Sequence, residues 1–234
     1  MLSIGHRGAR GHAPENTLAS VRKAIALGAD WIEVDVYWLD GELVVFHDQH
    51  LERTTNGKGL LMAQPFDQLR RLDAGNGEQI PTLAEVFATV AAGSERVGIN
   101  VELKGLGTAE PVVRFLQAGP LRGEVWDLSR VVLSCFRWDE LARVRAIAPR
   151  SASGLVLAEL PPGGVGAAIV QAQAIGAWSL NPAQAIVTPA LVQAAQAAGL
   201  QVWVFTVNEP GEIARLGRMG VDGLFSDYPE RVAG

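Results

Sequence analysis

A single cysteine, Cys135, stands in the 234-residue chain, so no intramolecular disulfide can form. Long hydrophobic runs are missing: stretches such as Leu43 to Phe46 and Val202 to Phe205 fall far short of the ~18 apolar residues a membrane span needs, which excludes transmembrane helices. Dense basic runs are missing too. Lys and Arg total 20 against 25 Asp and Glu, a formal net charge of −5, and such a surface is a poor partner for nucleic acid. The N-terminus opens on Met1-Leu2-Ser3-Ile4-Gly5 without a basic segment followed by an apolar one, so a cytoplasmic setting is expected. What is present is the 48% hydrophobic and 19% charged content of a folded globule. The length fits one domain spanning 1–234, with room for a homo-oligomer.

Short apolar runs alternate along the chain with Ala- and Leu-rich stretches of helical period, the pattern of βα units and a parallel sheet. Strands are expected near Leu2 to Gly5, Trp31 to Tyr37, Val97 to Leu103, Arg130 to Ser134, Ala152 to Leu157, Ala177 to Leu180, Gln201 to Phe205 and Gly223 to Ser226. Helices fill the gaps, with Asn16, Thr82, Thr188 and Asn208 as caps or pre-cap residues. Gly28, Gly119, Gly176, Gly199 and Gly220 follow the helix ends, where a left-handed stop favours glycine. Eight such units make a TIM (β/α)₈ barrel with a short insertion after the second strand, about 41–80, containing a hairpin strand at Leu43 to Phe46. A doubly wound dinucleotide fold would show G-x-G-x-x-G after the first strand, and Gly5-His6-Arg7-Gly8-Ala9-Arg10-Gly11 lacks that spacing.

Side chains at the C-terminal ends of barrel strands converge on one mouth. Four strand ends carry charge: His6-Arg7, Glu33-Val34-Asp35, His47-Asp48 and Glu102-Leu103-Lys104. Residues two apart on a strand share a face, so Glu33 with Asp35, and Glu102 with Lys104, point into the barrel. Three converging carboxylates repel one another unless a cation neutralises them, and oxygen-only ligands favour Mg²⁺ or Ca²⁺ over zinc. Arg7 and Lys104 beside them suit an anionic phosphate. His6 and His47 suit acid and base roles, because imidazole titrates near neutral pH. Together these groups describe phosphoryl-ester hydrolysis. Asn16 and Thr17 read as cap and first-turn residues, Arg53 to Gly57 as a turn, and Asp222 as an anchor of the last strand.

The ordered series His6-Arg7-Gly8, Pro14-Glu15-Asn16-Thr17, Glu33-Val34-Asp35, His47-Asp48, Arg53-Thr54-Thr55-Asn56-Gly57, Glu102-Leu103-Lys104, Thr206-Val207-Asn208 and Gly220-Val221-Asp222-Gly223 resembles the glycerophosphodiester phosphodiesterases. That resemblance implies a barrel with an insertion after the second strand. It also implies His6 and His47 as acid and base, Glu33, Asp35 and Glu102 as ligands of a divalent metal, and Arg7 and Lys104 as phosphate binders. The implied substrate is a small glycerophosphodiester, cleaved to glycerol 3-phosphate and an alcohol through attack by the neighbouring glycerol hydroxyl. Where that family commonly carries Trp before Thr-Val-Asn, this chain has Phe205, with Trp203 two residues earlier on the same strand face. Both are candidates for the wall against the glycerol. A lipid-surface enzyme would show exposed apolar or basic residues on the insertion, where Leu60, Leu61, Met62 and Phe66 are the only such group.

Overall fold

In the computed structural model, which describes residues 1–120 and 126–233, eight parallel strands close into a barrel surrounded by helices. The strands are β1 (Leu2–Gly5), β2 (Trp31–Leu39), β4 (Gly98–Leu103), β5 (Val131–Cys135), β6 (Ala152–Leu157), β7 (Ser179–Pro182), β8 (Gln201–Val204) and β9 (Gly223–Ser226). Neighbours run in the order β1-β9-β8-β7-β6-β5-β4-β2, and β1 pairs with β2 to close the circle. This is the TIM barrel expected from the alternation. β3 (Glu42–Val45) lies outside the circle, antiparallel to the upper half of β2.

Two cores hold the barrel. The outer one packs strand residues such as Ile32, Val34, Val101, Leu133, Leu155 and Val202 against the apolar faces of the helices. The inner one fills the lower barrel with Ile4, Val132, Trp203 and Phe225, where Trp203 meets Trp31 and Trp178 edge-on at centroid distances of 5.2 and 5.1 Å. Glycine makes room for this plug: a Cβ on Gly98 would lie 2.5 Å from the Trp31 ring. The insertion folds on a third cluster, with Tyr37, Val44, Phe46, Leu51, Leu61, Leu69 and Ile80 buried together. Arg70 ties it to α3 (Leu83–Gly93) by a double hydrogen bond to Glu85 at 2.8 and 2.9 Å. Glu85 also completes the capping box with Thr82.

Cap chemistry departs from expectation in places. Thr17, not Asn16, caps α1 (Leu18–Ala26), its side chain accepting from Ser20 N–H. Glu209 stands at the N-cap of α8 (Pro210–Met219) with Pro210 in the first turn, which places Asn208 at the expected pre-cap position. Gly28, Gly176, Gly199 and Gly220 take positive φ, whereas Gly119, after α4 (Ala109–Ala118), has φ −118° and makes no left-handed stop. Asp222 accepts the Val202 N–H at 2.8 Å, so it anchors β8. The last helix, α9 (Glu230–Ala233), is a single turn. No helix among the described residues is long and apolar enough to cross a membrane.

Candidate active site

The turn leaving β1 requires its glycine. Arg7 and Gly8 both take positive φ, 53° and 82°, and a Cβ on Gly8 would lie 2.3 Å from Ser20 Oγ. Ser20 Oγ donates to Arg7 C=O at 2.7 Å, and Asn16 N–H donates to the same oxygen at 3.0 Å. The reversal carries His6 and Arg7 over the barrel mouth and turns Arg7 N–H onto Glu33 Oε2 at 2.8 Å.

Glu33 and Asp35 on β2 are 2% and 1% exposed, and Asp35 pairs in register with Glu102 on β4. One oxygen from each of the three lies within 4.8 Å of the others. Burial and mutual repulsion push the Glu33 carboxyl well above its usual range, and the same causes raise Glu102 to about 7. Carboxylates stacked this closely and deprived of water need positive charge, and the all-oxygen donor set fits a hard divalent cation. Asn16 fixes the central ligand: its Nδ2 donates to Asp35 Oδ2 at 2.9 Å, while its Oδ1 accepts Asp35 N–H at 3.3 Å. The expected cap residue therefore orients a carboxylate instead, from a left-handed conformation with φ 56° that Asn tolerates.

Each histidine leans on its own carboxylate. His6 Nδ1 is 2.7 Å from Asp227 Oδ1, and Asn208 holds Asp227 by donating Nδ2 to Oδ2 and accepting the Asp227 N–H, both at 2.9 Å. His47 Nδ1 is 2.5 Å from Asp48 Oδ1, and Arg53 grips Asp48 at 2.5 and 2.9 Å while reaching Glu15 with two further bonds of 2.7 Å. A carboxylate acceptor keeps the proton on Nδ1 and leaves Nε2 for chemistry. Burial lowers the pKa of both rings, with Asp227 opposing the effect at His6, and Asp35 and Asp48 opposing it at His47.

Arg7 is 8% exposed. Its Nη1 bonds Glu15 at 2.6 Å, while its Nε points toward Asp35 at 3.4 Å without a hydrogen bond. Facing three guanidinium groups, Arg7, Arg10 and Arg53, the Glu15 carboxyl is held at about 2.

His6, Arg7, Glu33, Asp35, His47, Glu102 and Phe205 line one cavity of about 210 Å³ at the barrel mouth. Two expected members stand apart from it. Trp203, on the same strand face as Phe205, lies fully buried one layer down in the aromatic plug and touches the cavity nowhere. Lys104 is drawn to the carboxylates, 2.9 Å from Glu102 and 3.6 Å from Asp35, and borders the cavity rather than lining it. Phe136, 41% exposed, joins the wall edge-on to Phe205 at 5.7 Å, a member the strand pattern did not single out. His12 bonds Glu230 at the surface and His50 is exposed, so neither belongs to the site.

Asp227 fixes the His6 ring through Nδ1. Asp227→Asn is expected to lower kcat/KM by roughly 10–100-fold, the usual cost of losing such a partner. Because the carboxylate raises the His6 pKa, its loss should move that limb of the pH profile to lower pH. An unchanged profile would assign Asp227 a purely structural role.

Residues 6–231 match the model of the glycerophosphoryl diester phosphodiesterase family. A glycerophosphodiester phosphodiesterase of Caldanaerobacter subterraneus subsp. tengcongensis is 34% identical over 98% of this chain and 95% of its own. One from Bacillus subtilis is 29% identical over 98% and 84%. Among solved structures, an Oleispira antarctica phosphodiesterase in complex with the product sn-glycerol-3-phosphate superposes with a TM-score of 0.87 at 33% identity, covering 98% of this chain and 94% of that one. The match runs from His6 at the mouth to Arg231 in the final helical turn, and the chain belongs to the glycerophosphoryl diester phosphodiesterase family, a family of hydrolytic enzymes.

Proposed function

We propose that this phosphodiesterase cleaves small glycerophosphodiesters to glycerol 3-phosphate and an alcohol, using His6 and His47 as acid and base around a divalent cation held by Glu33, Asp35 and Glu102. The observation that carries the reading is the convergence of both histidines and all three carboxylates on one small cavity. The sn-glycerol-3-phosphate held as product by the Oleispira antarctica phosphodiesterase supports the same substrate class. When bound, Mg²⁺ or Ca²⁺ would polarise the phosphoryl group and offset the negative charge building on its oxygens.

Arg7 carries an Nε that makes no hydrogen bond, on a guanidinium anchored by Glu15, which suits it to a phosphate oxygen. Lys104 supplies further positive charge at the edge of the site. No serine hydroxyl in the cavity stands in hydrogen-bond contact with a histidine, and burial pushes the Cys135 thiol up to about 12, so neither residue type is activated for covalent attack. The attacking oxygen then comes from water or from the substrate, and the family resemblance favours the glycerol hydroxyl beside the ester. One histidine takes its proton as the new P–O bond forms, and the bond to the departing alcohol breaks as the other histidine protonates it. The cyclic phosphate that results is opened by water with the two roles exchanged.

The insertion supports a soluble substrate: Leu61 is buried in its core and Phe66 packs against that core, leaving only Leu60 and Met62 of the four apolar candidates exposed. The buried free thiol of Cys135 suits a reducing compartment such as the cytoplasm. A diester whose glycerol lacks the hydroxyl beside the ester should still bind but turn over roughly three orders of magnitude more slowly, since a prepositioned internal nucleophile is worth several kcal/mol. Steady-state assay of both compounds decides this, and comparable turnover would rule out internal attack.

A further inference from the structure

We propose that Asn181 reads the terminal hydroxyl of the glycerol moiety, the one that takes no part in bond making; this rests on the glycerophosphodiester reading above. Asn181 sits on β7, fully buried among the residues that line the cavity. Around the closed circle of eight strands β7 lies four steps from β2 in either direction. Its side chain is therefore placed across the mouth from Glu33 and Asp35.

Half of this amide is satisfied and half is not. Oδ1 accepts the Ser179 hydroxyl at 2.8 Å, whereas Nδ2 has no partner. Native proteins leave few buried donors unpaired, and those that remain concentrate where a ligand completes them. The amide has its place because β6 offers a glycine beneath it: a Cβ on Gly154 would lie 2.7 Å from Asn181 Nδ2. Around it the walls are apolar, made by Phe136, Val156, Phe205 and Phe225. The neighbouring Ser134 oxygen accepts from Asn100 Nδ2 at 2.9 Å.

Phosphate bound at Arg7 and the carboxylates puts the reacting hydroxyl at that side of the mouth, so the carbon chain extends toward β7. The terminal hydroxyl is the one polar group left to meet the amide. A hydroxyl both donates and accepts, so it satisfies the free amide atom in either amide orientation. A site built around such a bond discriminates against the analogue that lacks the hydroxyl, because the buried polar group is then left unpaired.

The test compares kcat/KM for a glycerophosphodiester with that for the matching propane-1,2-diol diester, which keeps the reacting hydroxyl and lacks the terminal one. The wild-type enzyme should prefer the glycerol compound by about 10-fold or more. In Asn181→Leu, close to isosteric, the preference should collapse toward one through loss on the glycerol compound. Gly154→Ala should do the same by pushing the amide from its seat. Equal handling of both diesters by the wild type overturns the proposal without recourse to any variant, as does a wild-type preference retained in Asn181→Leu. Failure of the wild type to cleave either compound is a different result: it removes the glycerophosphodiester reading itself, and the role of Asn181 with it.

Discussion

Replacing Asp35 by Asn is expected to reduce kcat/KM by roughly three orders of magnitude, the several kcal/mol that a bound cation contributes to charge stabilisation in the transition state. Asp35 is the central member of the cluster. It pairs in register with Glu102, faces Lys104 at 3.6 Å and is oriented by Asn16 at 2.9 Å. Glu102→Gln should also weaken the cation while leaving the cation-free fold as stable as the wild type or more so, because it removes one of three mutually repelling carboxylates. The pH dependence has a definite sign. Glu102 is raised from its ordinary 4.5 to about 7, so its contribution to stability is complete below 4.5 and is lost as pH rises through about 7. The two histidines are lowered from 6.5, so theirs is present above 6.5 and lost on acidification. These slopes oppose each other, and the informative quantity is the shift in Tm that Mg²⁺ or Ca²⁺ produces at each pH. Binding requires the ionised carboxylate, so the shift should grow from pH 5 to about 7 and then level off. A shift independent of pH, or preserved in Asp35→Asn, would move the cation away from this cluster.

Alanine at His6 or His47 is expected to cost roughly 10²–10⁴-fold in kcat/KM on a substrate with an ordinary alcohol leaving group. Both rings line the cavity and both are held through Nδ1 by a carboxylate, so each offers Nε2 and neither substitutes for the other. Their effects should combine to less than the product of the single losses, as for groups acting in one proton-transfer circuit. A p-nitrophenol leaving group separates the roles, because it departs without a proton. The variant lacking the acid should then recover most of its rate, while the variant lacking the base should not. The bell-shaped profile of the wild type should lose one limb in each variant. Near-normal rates in either variant on an ordinary alkyl diester would remove that histidine from acid-base chemistry.

Much of this was legible in the sequence because strand parity is a strong signal. Glu33 with Asp35 point inward as their spacing requires, while Val34 packs outward in the core between strands and helices. Parity gives the face of a strand and not the depth along it, which is why Trp203 shares a face with Phe205 yet belongs to the plug beneath the cavity. The supporting residues were harder to read, since their roles depend on contacts between distant parts of the chain. Asp227 meets His6 across 221 positions and Arg53 meets Glu15 across 38. Asn16 carried a local signal for a helix cap, and the adjacent Thr17 took that position and freed its amide for Asp35. Asn181 stands in a four-residue strand, Ser179–Pro182, with no charged neighbour to mark it. Only its empty hydrogen-bond position in the folded barrel distinguishes it.

Release of glycerol 3-phosphate from a panel of glycerophosphodiesters, measured after exhaustive chelation and again after Mg²⁺ or Ca²⁺ is restored, tests the cation and the substrate class together. Turnover should fall to background in chelator and return with the added cation in the wild type, and should not return in Asp35→Asn. Full activity in the chelated enzyme, or no glycerol 3-phosphate from any member of the panel, would rule out a cation-dependent glycerophosphodiesterase.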